Sequence, residues 1–462
     1  MSAGARRGGN GPAGDHRVDP RPVRIVVLNW NGGELTLRCL DHLRRLDWPA
    51  DELQVVVIDN ASTDGSVEEI ERLHPEVEVR RNATNTGFPA NNIALRDLDD
   101  VRYVGLINND AFVEPGWLAP LVDALDEDRS LGAVSSKLVL EPRFVEVRLT
   151  APTFVPGRGD DRTLGVMVRD VLIGGRSVWA SAHFADGGWG PEVDRDGPFE
   201  WTSAEAVLRV PVDEIEMPLP VTLVLQAERR KEVRIDSGRG VSLVDVDRRA
   251  VPIGLTVAGE PHDVLNNVGS VVFADGAGAD RGWRERDRGQ YDEPVEVFAW
   301  CGGSVLFRPE YLTDVGLFDE DFFLYYEDTD LSWRGRLRGW RYRTAPASVA
   351  RHVHAATSTE GSAVFAYHVE RNRLLMLAKN APASMVRHQA WRFVLITASY
   401  ARRDVLRPML RFRRPNVTVV RRRIGSFAGF VRLLPAMLVR RRTARRRRTT
   451  SDRALLGWLV RR

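Results

Sequence analysis

Residues 52–66 read ELQVVVIDNASTDGS. An apolar, β-branched run ends in Asp59-Asn60, crosses small turn-forming residues and reaches Ser66, which opens the helical stretch SVEEIERLH. That is the pattern of a strand buried on both faces that hands over to a helix. The same order stands upstream. VRIVVLNWNG (23–32) is followed by GELTLRCLDHLRRL (33–46), where Leu35, Cys39, His42/Leu43 and Leu46 keep the helical period. Downstream, VEVRRNATNTGF and VRYVGLINNDAFV add two strands separated by a short helical stretch. A β-α-β-α-β succession predicts an α/β chain with a parallel sheet and helices on its faces. Ligands of such sheets bind beyond the carboxyl ends of the strands. The polar clusters Asn29, Asp59, Asn85 and Asn108-Asn109-Asp110 fall there. One such cluster is an ordinary turn, but four successive strands ending this way form a rim of fixed polar partners for a nucleobase, a ribose and a diphosphate. NWNGGELT has neither the Lys-Ser/Thr ending nor the three-glycine spacing of the common phosphate loops. A hard divalent ion held by Asp110 is then the simplest way to neutralise a diphosphate.

VVLNWNG, VVVIDNASTDGS, NTGFPANNIAL and LINNDAFVEPGWL resemble, in order and spacing, the nucleotide-sugar half of the family 2 glycosyltransferases, and most of all their bacterial rhamnosyl- and galactofuranosyltransferase branch. The resemblance implies a GT-A fold, a Rossmann-like mixed sheet that takes a nucleotide-diphosphate sugar. It also implies that Asp59 contacts the nucleobase, that Asn29, Asn85, Gly87 and Asn109 line the nucleoside and phosphate pocket, and that Asp110 binds Mn²⁺ or Mg²⁺. One departure matters: the metal position reads Asn108-Asn109-Asp110, a single carboxylate, so metal binding is either weaker or completed by the substrate and another protein ligand.

The second half of the expected site lies in VFAWCGGSVLFR (297–308) and FFLYYEDTDLSWRGRLRGW (322–340). Leu331, Arg334 or Gly335, and Arg338 recur at helical spacing, so a helix begins at about Glu327 or Asp328. Acids at a helix start are stabilised by the unpaired N–H groups and the dipole, which accounts for one or two of the three carboxylates. The aromatic run before them sets the first two against a partly dry wall, which raises a carboxylate's pKa and suits it to take a proton. YYEDTDLSWR resembles the family's ED motif, which implies Asp328 as catalytic base and Glu327 as the residue that orients acceptor hydroxyls. Asp330 then caps the helix or pairs with Arg334. Trp300, Gly302 and Gly303 are the expected acceptor-binding residues. In APASVARHVHAATS (345–358), His352 and His354 stand two apart on an extended segment and point the same way. The resemblance implies a histidine here that completes metal or diphosphate binding, His352 first and His354 as the alternative.

Between these halves the chain changes character, which gives five expected parts: a disordered 1–22, a nucleotide-sugar half at 23–140, an inserted β-sandwich-like domain at 141–262, an acceptor half at 263–382 and a basic amphipathic helical tail at 383–462. In the insert, Trp179, Trp189 and Trp201 are either core or sugar-stacking residues. Cys39 and Cys301 are the only cysteines and give no disulfide framework, which fits a reducing cytosol. The N-terminus reads as neither signal peptide nor anchor, and no apolar run is long enough to span a bilayer. Residues 401–462 carry 20 Arg against Asp404 and Asp452, so this segment is +18 and the remainder −15. Apolar residues interleaved with these arginines favour an anionic membrane surface as partner over nucleic acid. The expected protein is therefore a cytoplasmic glycosyltransferase, peripheral at the inner face of the plasma membrane, with a glycan or lipid-linked acceptor. The alternatives are a catalytically silent sugar-binding scaffold of cell-wall assembly and a nucleotidyltransferase, the latter disfavoured by the missing triphosphate loop.

Overall fold

The computed structural model describes residues 21–157, 159–212, 217–353 and 362–461. The expected disorder of 1–22 and the candidate ligand His354 fall outside the described residues, Arg21 and Pro22 excepted. The first half follows the apolar runs: β1 (Val23–Asn29), α1 (Gly33–Leu43), β2 (Leu53–Asp59), α2 (Ser66–Leu73), β3 (Glu78–Arg81), α3 (Asn92–Leu95), β4 (Tyr103–Asn108), β5 (Ala111–Val113), α4 (Ala119–Glu127) and β6 (Leu131–Leu140). LINNDAFV, read as one strand, is two, because the turn at Asn109-Asp110 breaks it.

The insert consists of β7 (Arg143–Thr150), β8 (Met167–Ile173), β9 (Arg176–Ser177), β10 (His183–Asp194), β11 (Gly197–Val212), β12 (Leu219–Gln226), β13 (Lys231–Asp236), β14 (Val241–Val246) and β15 (Val251–Val257). These make one continuous antiparallel sheet, ordered β14-β13-β7-β11-β8-β12-β15, with β10 beside β11 and β9 beside β8. The expected β-sandwich-like insert is thus one sheet wrapped about a single core, with the Ala258 N–H donating to Ser237 and the Ala227 N–H to Asp247 near its two ends. Alternation drives this wrapping: Leu219, Val221, Leu223 and Leu225 of β12 all turn into the core. Trp179 packs against that core and Trp201 meets Phe154 and Phe199 edge-on, while Trp189 is 40% exposed.

The chain then re-enters the first sheet. It adds β16 (Leu265–Asn267), β17 (Ser270–Val272), β18 (Gly278–Asp280), β19 (Ser304–Phe307), α5 (Pro309–Val315), α6 (Glu327–Arg338), β20 (Arg341–His352) and α7 (Ala363–Asn380). Strand order in this mixed sheet is β3-β2-β1-β4-β19-β6-β20-β5, with β16 beside β6. β1 to β4 pair in parallel, whereas β19 runs antiparallel to both its neighbours. β6 and β16 are neighbours, Val139 opposite Leu265, so the insert leaves and returns at adjacent points.

The last part is helical: α8 (Ala383–Tyr400), continued through a π-helical stretch Ala401–Leu406 into α9 (Arg407–Leu410), then α10 (Thr418–Arg446) and α11 (Asp452–Leu456). The segment expected as a basic amphipathic helical tail packs in part against the body. Phe393, Phe430, Met437 and Leu455 bury themselves in one cluster with Trp333 and Leu337 of α6 and Leu374–Leu377 of α7. Several arginines pair with acids: Arg440 with Asp319 (2.6 Å) and Asp321 (2.5 Å), Arg423 with Glu370 (2.5 Å), and Arg447 with Asp314 (3.0 Å). Among the described residues, no helix is long and apolar enough to cross a membrane.

Candidate active site

The strand ends carry a web of amides. Asn29, at the end of β1 and wholly buried, donates to Asp59 Oδ1 (3.1 Å), Ser62 Oγ (3.1 Å) and Ser66 Oγ (2.9 Å). Its Oδ1 accepts from the Gly32 N–H (3.3 Å) and Thr36 Oγ1 (2.8 Å). No part of Asn29 is left for a ligand, so its role is to pin the loops after β1 and β2, and the expectation that it lines the pocket is corrected. Asp59 stands beside it, 5% exposed, facing Asn29 and the Ser62 N–H. Asn60 does for the next loop what Asn29 does for the first. It donates to Asn85 Oδ1 (2.9 Å) and the Gly87 carbonyl (3.1 Å) and accepts from Asn82 and the Thr86 N–H.

Beyond these pins opens a cavity of about 480 Å³. Trp30, Asn60, Asn85, Gly87, Asn109 and Asp110 form one wall, and Phe323, Leu324, Tyr325 and Phe365 the other. Gly87 joins the two. Its φ is +72°, and a Cβ there would stand 2.0 Å from the Phe323 carbonyl, which accepts from the Phe88 N–H (2.8 Å). Only glycine fits that approach. Asn85, Gly87, Asn109 and Asp110 thus meet at the cavity as expected residues, whereas Asn29 and Asp59 stand behind its wall.

β20 pairs with β5 so that His352 lies opposite Ala111, next to Asp110. His352 Nδ1 faces the Asn266 side-chain oxygen at 3.1 Å, an acceptor, which puts the ring proton on Nδ1. Nε2 is then left 3.1 Å from Asp110 Oδ1 and 3.3 Å from the Asn108 amide nitrogen. A carboxylate oxygen and an imidazole lone pair so placed fit two adjacent ligands of one cation, because ~2.1 Å bonds at a right angle set such atoms ~3.0 Å apart. Among the described residues no third His, Cys, Asp or Glu joins them. Phosphate oxygens and water would have to supply the rest of the shell. Asn266, which orients the ring, carries no signal in the sequence.

The opposite wall is conformationally unusual. Phe323, Tyr325 and Tyr326 all adopt positive φ (63°, 69° and 70°), a costly region for side chains of this size. Asn372 of α7, wholly buried, holds them there by donating to the carbonyls of Phe322, Leu324 and Tyr325, each at 2.8 Å. Arg371 donates to the Asp321 and Phe322 carbonyls. The signal for this clamp is the polar triplet Arg371-Asn372-Arg373 directly ahead of the apolar run LLMLA.

This loop delivers α6 with Glu327 as its first residue. Glu327 is 6% exposed, its Oε2 has no hydrogen-bond partner, and burial together with neighbouring Asp328 pushes its carboxyl well up. Asp328 keeps partial access to solvent and accepts from the Thr329 N–H (2.5 Å) and hydroxyl (3.0 Å). Burial raises its pKa, and the Asp280 carboxylate of β18 adds to the rise against these hydrogen bonds and one from the Gly302 N–H. Asp330 differs. Burial opposes its charge, but Lys379 (2.8 Å) and Arg334 (2.9 Å) outweigh it and hold the carboxyl low. Gly303, whose carbonyl accepts from the Asn108 N–H (3.1 Å), binds this half to β4. Trp300 is wholly buried between Phe307 and Phe318, so it packs the core and does not meet an acceptor. Asp280, near the base, was not anticipated.

Fold and site together define an α/β chain with a cavity at its strand ends, lined by amides and Asp110 on one side and largely by aromatic and aliphatic residues on the other, and a raised-pKa carboxylate pair beside it. Residues 24–150 match the model of glycosyl transferase family 2, so the chain carries such a domain. A curated relative, the poly(ribitol-phosphate) beta-N-acetylglucosaminyltransferase TarS of Staphylococcus aureus (strain Mu50 / ATCC 700699), is 26% identical over 110 residues, 23% of this chain and 19% of the relative. The chain thus spans about a fifth of the length of the curated relatives it matches. Among solved structures, the mannosyltransferase PcManGT from Pyrobaculum calidifontis with GDP-Man and Mn²⁺ aligns over 93% of this chain and 87% of its own, at 16% identity and TM-score 0.40. GalNAc-T7 with UDP, GalNAc and Mn²⁺ aligns over 78% and 48%, at 15% identity and TM-score 0.40. Likenesses so distant leave the reading of the site to its own residues.

Proposed function

We propose that the chain is a glycosyltransferase that moves a sugar, of the rhamnose or galactofuranose type, from a nucleotide diphosphate to a cell-envelope glycan or a lipid-linked acceptor, with inversion. The carrying observation is a single cavity whose one wall is the strand ends of a glycosyl transferase family 2 domain and whose other wall is the loop that runs into Glu327 and Asp328. Asp328 takes the proton of the acceptor hydroxyl as its oxygen attacks the anomeric carbon, and the bond from that carbon to the diphosphate breaks. Glu327 orients the acceptor, and the floor of the cavity holds the nucleoside. A divalent ion, Mn²⁺ or Mg²⁺, supplies charge neutralisation for the leaving diphosphate when bound, and Asp110 and His352 would hold it. The place of action is the cytoplasmic face of the plasma membrane, with the arginine-rich helical layer toward an anionic lipid surface.

The test is a thermal-shift screen of the whole chain against nucleotide-diphosphate sugars, with and without Mn²⁺ or Mg²⁺. Rhamnose, galactofuranose and N-acetylglucosamine donors are all included, the last because of the relative's printed activity. A ligand at about 100 times its dissociation constant adds ~2.7 kcal/mol, so the true donor raises the midpoint visibly. A metal-dependent shift with one donor class, followed by release of the nucleoside diphosphate, supports the reading. No shift and no release with any donor overturns it in favour of a silent sugar-binding scaffold.

A further inference from the structure

Arginines of the helical layer fall into two sets. Several of the α10 stem are engaged: Arg423 with Glu370, Arg440 with Asp319 and Asp321, and Arg441 with the carbonyls of Ala378 (3.0 Å) and Ala381 (2.6 Å), while Arg421, Arg432, Arg442 and Arg446 of the same helix are exposed. The other set stands at the hairpin between α8 and α10. Its base is closed by the Asn416 N–H donating to the Asp404 carbonyl (2.9 Å). Residues 405–415, VLRPMLRFRRP, project beyond that base and contain four arginines and no acid. Arg407, Arg411, Arg413 and Arg414 make no ion pair among the described residues. The apolar side chains between them are also bare: Leu406 is 55% exposed, Met409 56%, Leu410 80% and Phe412 fully. An aromatic and three aliphatic side chains in water beside four unpaired cations match a lipid surface, apolar below and anionic above.

The position of this tip relates it to the cavity. Arg423 of α10 meets Glu370 of α7, and Arg441 meets Ala378, so the two helices run parallel. α8 folds back along α7, with its Thr397 hydroxyl accepting from Arg423 (3.0 Å). The hairpin therefore leaves at the end of the layer where α7 begins, and there Ser362, Val364 and Phe365 line the cavity. The ten residues after Tyr400 carry the helical rod about 15 Å past that end.

We propose that residues 405–415 are the part of the chain that seats in an anionic bilayer surface, with Leu410 and Phe412 in the acyl boundary and the arginines among lipid phosphates. This gives the membrane contact a leading point at the end of the layer that borders the cavity, beside further exposed apolar side chains of α8 and α10 such as Trp391, Leu395, Ile424 and Val431. The consequence, access to a lipid-linked acceptor, rests on the glycosyltransferase reading, whereas lipid binding does not.

Vesicle co-sedimentation of the whole chain tests it, because it needs no donor sugar and fails independently of the donor screen. Wild type sediments with vesicles of phosphatidylglycerol and phosphatidylcholine and stays in solution with phosphatidylcholine alone. Neutralising Arg411, Arg413 and Arg414 to Ser weakens binding on the order of a hundredfold, and the Leu410→Ser, Phe412→Ser double variant weakens it about tenfold or more. All these side chains are exposed, so the variants keep the wild-type melting temperature. An environment-sensitive dye on Phe412→Cys shifts to the blue with anionic vesicles, while the same dye on Val193→Cys of the insert, 78% exposed, does not. Binding unchanged in the Leu410/Phe412 variant, no blue shift at position 412, or capture by RNA but not by anionic vesicles overturns the proposal.

Discussion

Asp328 and Glu327 are adjacent, yet their surroundings assign them different work. Asp328 is reachable and hydrogen-bonded, with a pKa raised mainly by burial. As a base it acts only when ionised, so kcat/KM falls as pH drops through a value above that of an ordinary aspartate. Asp328→Asn cuts turnover by about 10²–10⁴-fold and leaves the thermal shift by the donor intact. Turnover unchanged in that variant removes Asp328 as the base. Glu327 has an unpartnered oxygen and a carboxyl pushed further up. Its folded-state pKa lies above the unfolded one, so its contribution to stability is greatest in acid and is lost as pH rises through the folded value. Glu327→Gln accordingly stabilises the chain at neutral pH by about 1–3 kcal/mol, and urea denaturation at neutral and acid pH shows that gain shrinking toward acid. Equal effects at both pH values would exclude a buried charge as the cause. Both acids could be found in the sequence because a carboxylate after an aromatic run is conspicuous. Asn29 was misread because an amide at a strand end serves equally as pin or ligand, and its partners Ser62 and Ser66 lie more than thirty residues on.

At the level of elements, strands and helices of the first half follow from apolar period alone, and α6 starts where its acids place it. What period cannot convey is how one element constrains another. The loop before α6 holds three bulky residues at positive φ while Asn372, on a helix 46 to 50 residues further on, occupies three of its carbonyls and Arg371 two. The Phe323 carbonyl in turn fixes the loop of Gly87. Asn372→Ala therefore leaves acceptors unpaired at about 1–3 kcal/mol of stability, and it also loosens the cavity wall, so the donor-induced thermal shift shrinks. A second variant, Asn372→Leu, keeps a side chain of comparable length and so separates lost packing from lost hydrogen bonds. Donor binding that survives both substitutions would mean that the wall does not depend on this clamp. That the insert's core is wrapped by one continuous sheet was hidden for a related reason. Alternating strands announce a half-buried sheet, but whether its two faces come from separate sheets or from one is set by contacts between distant strands, such as Ala258 with Ser237.

For the whole molecule, the charge division between an acidic body and a basic end region is visible in composition, but its structural use is not. Arg440 reaches Asp319 and Asp321 across more than a hundred residues, and Arg447 reaches Asp314 likewise. Pairings at such separation leave no local pattern, so the segment reads as an appendage when much of it is a layer of the body. Removing residues 383–462 distinguishes the two. The deletion uncovers Trp333, Leu337, Leu374 and Leu377, takes Phe393 and Phe430 out of their cluster, and strips Asp319 and Asp321 of Arg440. Loss of a single buried Phe costs about 3–5 kcal/mol. A kilocalorie moves the midpoint of a chain this long by about 1 °C. The shortened chain therefore melts lower by about 5 °C or more or fails to stay soluble, and it loses the strained loop beside Glu327, since Arg371 and Asn372 belong to the same cluster's helix. By contrast, the serine variants at Arg411, Arg413 and Arg414 leave the midpoint within about 1 °C, as surface changes do. A shortened chain that melts like the full one would make the helices an appendage after all, and would detach the lipid-facing tip from any influence on where the cavity points.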